Sequence, residues 1–180
     1  MSADLSPAEV FIHEREGTRI AELYASHAPR AGRLAYLLTG DRELAEDLAQ
    51  EAFVRLIGRL SAVRDEAAIA AYLRRSVVNL VRKHWRKLGY ERGYLRSGRV
   101  SIGPVTDTLS DLDRRDELWR ALGTLPYRQR AAIVLRFYED LSERETARVL
   151  GCAVGTVKSS VSRGLQRMRE GMVDDADLRT

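Results

Sequence analysis

The chain reads as all-α: two small helical domains joined by a flexible basic linker. Three observations predict this. Nearly every periodic segment has helical spacing, and none gives the clean alternation of a strand. The periodicity lapses over about residues 89–111, where Gly93, Gly98, Gly103-Pro104 and several Ser and Thr stand. Residues 141–169 then carry the start, stop and restart signals of a helix-turn-helix.

The elements follow in order. Residues 1–17 are polar and are expected to form a flexible N-terminus. A helix is expected over 18–38, a break at Thr39-Gly40-Asp41, and a second helix over 41–60. A loop over 61–67 leads into a third helix ending near Lys87, which closes a first domain over 18–88. The linker takes 89–111. A second domain over 112–172 resumes the helical pattern with Leu118, Trp119 and Leu122 on one stripe. Leu125-Pro126 opens a helix through Tyr138, and residues 173–180 form an acidic tail expected to be disordered.

Within 141–169, Ser142 with Glu145 three residues on is a capping box, which satisfies two orphan backbone donors reciprocally. Gly151 stands where the helix must end in a left-handed residue. In the second helix Val154, Val157, Val161, Leu165 and Met168 form a narrow apolar stripe, the expected buried face. The opposite face holds Thr156, Ser159, Ser162, Arg163 and Gln166, flanked by Lys158 and Arg167. Short side chains permit close approach to a major groove, and Arg and Gln can read base edges bidentately.

Two further faces stand out by charge. Residues 41–51 hold five acids against one base, and Glu43, Asp47, Gln50 and Glu51 line one outward strip with Val54. Leu44, Leu48, Ala52, Leu56 and Leu60 are the expected buried side. Polar groups beside an exposed apolar residue suit docking on another protein, although an acidic first turn also complements the helix dipole. Residues 82–99 hold seven Lys or Arg against one acid. On the third helix Ile69, Leu73, Val77, Leu80 and Val81 share one side. Arg75, Asn79, Arg82 and Arg86 form a stripe on the other, bordered by Tyr72 and Lys83, with Trp85 beyond its far edge. Such a stripe neutralises phosphates and stacks unpaired bases. The plain alternative is a wet basic face with Trp85 packed on a neighbouring helix.

Composition bounds the rest. The 180 residues are 44% hydrophobic and 31% charged, with net charge +4 and a pI near 9.4. Cys152 is the only cysteine, which excludes an intramolecular disulfide and a multi-cysteine zinc site; a small packing role is expected. His13, His27 and His84 are scattered, and no glycine loop or carboxylate pair holds a reacting atom, so neither enzyme chemistry, cofactor nor metal is expected. No apolar run approaches the ~20 residues that span a membrane, and the N-terminus lacks a signal-peptide core, so a cytoplasmic protein is expected.

The runs AEDLAQEAFVRL (45–56), YLRRSVVNLVRKHWR (72–86) and LPYRQRAAIVLRFYEDLSERETARVLGCAVGTVKSSVSRGLQRMR (125–169) resemble, in order and spacing, an extracytoplasmic-function sigma factor of RNA polymerase. The likeness covers about residues 18–172 and looks closest to the actinobacterial branch. It implies a region 2 domain, a linker and a region 4 domain. It implies promoter-specific initiation, with RNA polymerase core (β′ clamp helices and β flap), promoter DNA and an anti-sigma factor as partners. Core docking would fall to Asp47, Leu48, Gln50, Glu51 and Phe53. The −10 element would be engaged by Tyr72, Arg75, Asn79, Arg82, Lys83 and Arg86, with loop 61–67 accepting a flipped base. The −35 element would be read by Thr156, Lys158, Ser159, Ser162, Arg163 and Arg167, with Arg136 near the DNA backbone. Many members carry Trp where this chain has Tyr72 or Ile57, and Asp where it has Lys83. A helix-turn-helix regulator acting without polymerase would explain 125–169 alone, and would leave the acidic strip and the basic stripe without a task.

Overall fold

The computed structural model describes residues 7–60, 65–91 and 112–177, with side chains for 17–60, 65–88 and 118–170. Among the described residues there are helices and short connections and no strand. The helices are α1 (Pro7–Thr39), α2 (Arg42–Ile57), α3 (Glu66–Glu91), α4 (Leu112–Gly123), α5 (Tyr127–Ile133), α6 (Glu143–Leu150) and α7 (Val154–Asp177). Between α5 and α6 the chain continues as a π-helical turn, Val134–Tyr138.

The break between α1 and α2 falls where the sequence places it. Gly40 has φ 71°, a left-handed conformation that costs a glycine nothing, and its N–H donates to the Tyr36 carbonyl at 2.7 Å. Thr39 Oγ1 donates to the Ala35 carbonyl at 2.8 Å, and the Asp41 side chain accepts from Leu44 N at 3.0 Å, capping α2. The buried side of α2 is Leu48, Ala52 and Leu56, joined by Phe53. Along α3, Ile69, Leu73, Val77, Leu80 and Val81 are all buried as the wheel predicts, and Val78 and Ser76 are buried as well.

Several boundaries differ from the expectation. Helix α1 already runs from Pro7, because nothing between Pro7 and Thr18 terminates a helix. Helix α3 takes in Glu66 and Ala67 at its start and continues to Glu91, so only 61–64 of the expected loop lies outside the described residues. The rest of the expected linker, 92–111, lies outside them too. Helix α7 runs on through Asp177 where a disordered tail is expected; no proline or left-handed glycine follows Met172 to stop it. Leu118, expected on the buried stripe of α4, is 50% exposed, and Trp119 and Leu122 carry the packing instead.

Helices α1, α2 and α3 enclose one part of the core around Leu34, Leu38, Leu56 and Val77. Helices α4 to α7 enclose the other around Leu122, Ala131, Leu135 and Val157. At Gly164 α7 lies close against α5: a Cβ there would stand 2.6 Å from Ile133 Cδ1. The two parts are not separate. One buried hydrophobic cluster runs from Leu34 and Val78 into Leu122, Leu125 and Leu135, and the Tyr36 and Trp119 rings meet at 4.3 Å across it.

Candidate nucleic-acid interface

The helix-turn-helix is built as its sequence signals specify. Ser142 Oγ accepts from Glu145 N at 3.2 Å, while the Glu145 carboxylate accepts from Ser142 N at 2.8 Å and from Ser142 Oγ at 2.6 Å. These bonds, the side-chain one first, hold the Glu145 carboxyl below its usual pKa. Gly151, at φ 65°, ends α6, and Cys152 N donates to the Ala147 carbonyl at 3.0 Å, closing the tight turn. Cys152 itself is half-buried in that turn.

Helix α7 buries Val157 and Met168 and half-buries Val154, Val161 and Leu165. Its outward face carries Thr156, Lys158, Ser162, Arg163, Gln166 and Arg167, all exposed, with Ser159 half-buried beside them. Ser159 Oγ donates to the Thr156 carbonyl at 3.1 Å, and Lys158 Nζ lies 3.6 Å from Glu143. A lysine paired so loosely at the surface is held by little, so it can turn to a phosphate. Arg136 is half-buried, and one of its guanidinium nitrogens donates to the Leu141 carbonyl, which fixes the loop entering α6.

On α3 the stripe is also outward. Arg75, Arg82, Lys83 and Arg86 are exposed, and Tyr72 and Asn79 are half-buried. The Tyr72 hydroxyl donates to the Arg55 carbonyl at 3.3 Å, and the Arg59 guanidinium lies 6.0 Å from the Tyr72 ring centroid. Trp85 is half-buried against the core, edge-on to His84 at 5.3 Å, so the packed reading holds for this residue. Arg82 Nη2 donates to Asn79 Oδ1 at 2.9 Å, which orients the amide within the stripe.

The acidic strip of α2 is exposed at Glu43, Asp47, Gln50 and Glu51. Two residues expected to dock there do not face outward. Leu48 is 7% exposed and Phe53 is 4% exposed, the latter covered by the Tyr24 ring at 5.0 Å. Their part is to hold α2 against α1 and α3. The exposed apolar groups on this face are Val54 and Ile57. Helical spacing alone distinguishes them, since Leu48 belongs to the buried side of the wheel.

A third group of residues escapes sequence reasoning because its partners are remote in the chain. Glu139, 4% exposed, closes the π-helical turn and accepts from Arg30 Nη2 at 3.0 Å and Arg74 Nε at 2.7 Å. The hydrogen bond and charge of Glu139 raise the Arg30 pKa above its usual value. Arg130, 2% exposed, donates to the carbonyls of Leu122, Gly123 and Leu125, and to that of Leu38 at the end of α1. Burial pushes its pKa down to about 10, so it remains charged at neutral pH. The Tyr127 hydroxyl, whose pKa burial lifts to about 12, donates to the Val78 carbonyl at 3.1 Å. Finally Arg82 Nη1 donates to the Leu150 carbonyl at 3.2 Å, at the end of α6. No group of His, Cys, Asp and Glu among the described residues could hold a metal ion, and none of their helices is long and apolar enough to cross a membrane.

Comparison with known families places both halves. The family model for sigma-70 region 2 matches residues 23–90, and that for sigma-70 region 4 matches residues 115–168. The RNA polymerase sigma-E factor of Streptomyces coelicolor is 36% identical over 148 residues, 82% of either chain. The ECF RNA polymerase sigma factor SigM of Mycobacterium tuberculosis is 32% identical over 91% of this chain and 83% of its own. Among solved structures, the sigma factor RpoE of Bartonella quintana, in complex with the anti-sigma factor NepR, superposes with a TM-score of 0.64. It is 28% identical, and the match covers 83% of this chain and 94% of that one.

Proposed function

The chain belongs to the sigma-70 family of RNA polymerase sigma factors, among its extracytoplasmic-function members, and we propose from that premise how its faces divide the work. It docks on polymerase core in the cytoplasm through the exposed strip of α2, with Asp47, Gln50 and Glu51 making the polar contacts and Val54 and Ile57 the apolar ones. Mixed polar and apolar surface of this kind suits a partner that must bind firmly and be released. The strip meets the β′ clamp helices, and region 4 meets the β flap. An anti-sigma factor, the kind of partner bound by the Bartonella relative, would compete for these faces.

Arg75, Asn79, Arg82, Lys83 and Arg86, with Tyr72 at their edge, take the opened −10 strand. Guanidinium and ammonium groups hold its phosphates, and stacking offsets the few kcal/mol lost when a base leaves the duplex. Helix α7 enters the major groove of the −35 element. Thr156, Lys158, Ser159, Ser162, Arg163 and Arg167 line its outward face, and the remaining donors of Arg136 reach the DNA backbone. The protein performs no covalent chemistry and needs no cofactor; polymerase supplies the reaction.

The observation that carries this reading is the presence of three outward faces of different chemistry on one chain, of which the helix-turn-helix is only one. The test is a promoter series with reconstituted holoenzyme. Arg163→Ala is expected to cost about 1–3 kcal/mol at a single −35 position and to relax specificity there. A loss of equal size across every promoter variant would make Arg163 a phosphate contact instead.

A further inference from the structure

The turn that ends α2 brings a guanidinium over an aromatic ring of α3. Helix α2 stops at Ile57, and the chain then tightens: Arg59 N donates to the Leu56 carbonyl at 2.8 Å, and Leu60 N to that of Ile57 at 3.3 Å. These bonds fix the Arg59 backbone, while its side chain is exposed. The guanidinium carbon stands over the Tyr72 ring, 6.0 Å from its centroid. Among the described residues Arg59 makes no ion pair, whereas Arg55, one turn earlier, is engaged by Glu51. The ring is the fixed partner. Tyr72 is half-buried, and its hydroxyl donates to the Arg55 carbonyl at 3.3 Å, which ties α3 to the last turn of α2.

The spacing of the two groups decides what they can do. A guanidinium resting on a phenol ring sits at van der Waals distance, about 3.5–4 Å. A flat ring held between two faces, each ~3.4 Å away, needs them ~6.8 Å apart. At 6.0 Å the Arg59–Tyr72 pair is too open for direct stacking and falls short of the sandwich by less than an ångström. An exposed arginine without an ion pair makes that adjustment at little cost, because no partner has to be given up. Its planar head also stacks on a π face, which an ammonium group does not. Three residues on from Tyr72, on the same side of α3, Arg75 is exposed and placed to hold a phosphate next to a ring in the slot.

We propose that Arg59 and Tyr72 form a clamp for one unpaired nucleobase, with the guanidinium on one face and the phenol ring on the other, which extends the −10 strand track of α3 onto the end of α2. The clamp senses a flat base rather than its identity, because every base has a π face. It deepens the assignment of Tyr72 to the opened strand and rests on the sigma-factor reading for its place at the promoter; the slot itself rests on the geometry.

The test uses the full chain and two fluorescein-labelled strands, a mixed-sequence single-stranded DNA 20-mer and an abasic 20-mer with the same phosphates and no bases. Fluorescence anisotropy gives the affinities, and circular dichroism checks that helix content is unchanged. Arg59→Ala is expected to weaken binding of the DNA strand ~tenfold and of the abasic strand no more than about twofold, since only a phosphate contact can be lost there. Arg59→Lys keeps the charge without the plane, so it should match wild type on the abasic strand and still lose about fivefold on DNA. Tyr72→Leu should lose as much as Arg59→Ala on DNA and nothing on the abasic strand. The double variant should lose less on DNA than the product of the two single losses, since both remove the same slot. Equal losses on the two strands in Arg59→Ala, a lysine variant that matches wild type on both, or a wild-type protein that binds both strands alike would each overturn the clamp. Run-off transcription with core polymerase separates the clamp from the reading beneath it. Core-dependent initiation by the wild type, with no base-dependent loss in Arg59→Ala, leaves the sigma reading standing without the clamp. A base-dependent loss in a protein that never initiates leaves the clamp standing without the sigma reading.

Discussion

Arg130→Met is expected to lower the free energy of unfolding by about 3–5 kcal/mol, read from urea denaturation of the full chain. The substitution keeps most of the volume and removes the charge, so the loss reports hydrogen bonding rather than a cavity. The reason is the number of groups that depend on one guanidinium. The carbonyls of Leu122, Gly123 and Leu125 belong to the end of α4 and the turn into α5, where helix ends leave acceptors short of partners, although that of Leu122 also accepts from Leu125 N at 3.2 Å. Leu38 is the corresponding acceptor at the end of α1. Arg130 satisfies all of them at once from a site 2% exposed, where water cannot substitute. A loss under about 1 kcal/mol would mean that these carbonyls find other donors.

The second large effect is functional. Asp47→Ala combined with Gln50→Ala is expected to weaken core-polymerase binding about a thousandfold, enough to abolish capture in a pull-down, with helix content unchanged. Two central interface residues at roughly 2 kcal/mol each supply that factor. Both side chains are exposed on α2, so the fold loses nothing when they are shortened. Leu48→Ala or Phe53→Ala would also reduce binding, but through unfolding of the first domain, because both are buried. Survival of core capture by the double variant would make the acidic strip ordinary solvated surface.

What the sequence made legible is what depends on near neighbours. The capping box of Ser142 and Glu145, the left-handed Gly151 and Gly40, and the apolar stripe from Ile69 to Val81 each involve residues within a few positions of one another. Periodicity and cap chemistry therefore located them. The outward faces of α3 and α7 followed as the complements of those stripes. Helix ends were less legible: no stop signal marks where α7 continues past Met172, and the Ser6-Pro7-Ala8-Glu9 start signal of α1 stands in a stretch whose overall polarity reads as a flexible terminus. Leu48 and Phe53 were placed on the docking face by family likeness, whereas the wheel already set Leu48 on the buried side. The interface between the halves was not legible at all. Glu139 finds Arg30 109 residues away and Arg74 65 away, and Arg130 finds Leu38 across 92. No local pattern marks a charged residue that is buried only because a distant helix covers it.

The account stands most directly on transcription by a reconstituted complex. Purified protein is to be mixed with RNA polymerase core and a library of promoter fragments, and run-off transcripts mapped to their start sites. The account predicts initiation from a subset of fragments sharing one −35 and one −10 sequence, and none without the protein. Tight, specific duplex binding by the free protein, with no core-dependent initiation from any fragment, would contradict it.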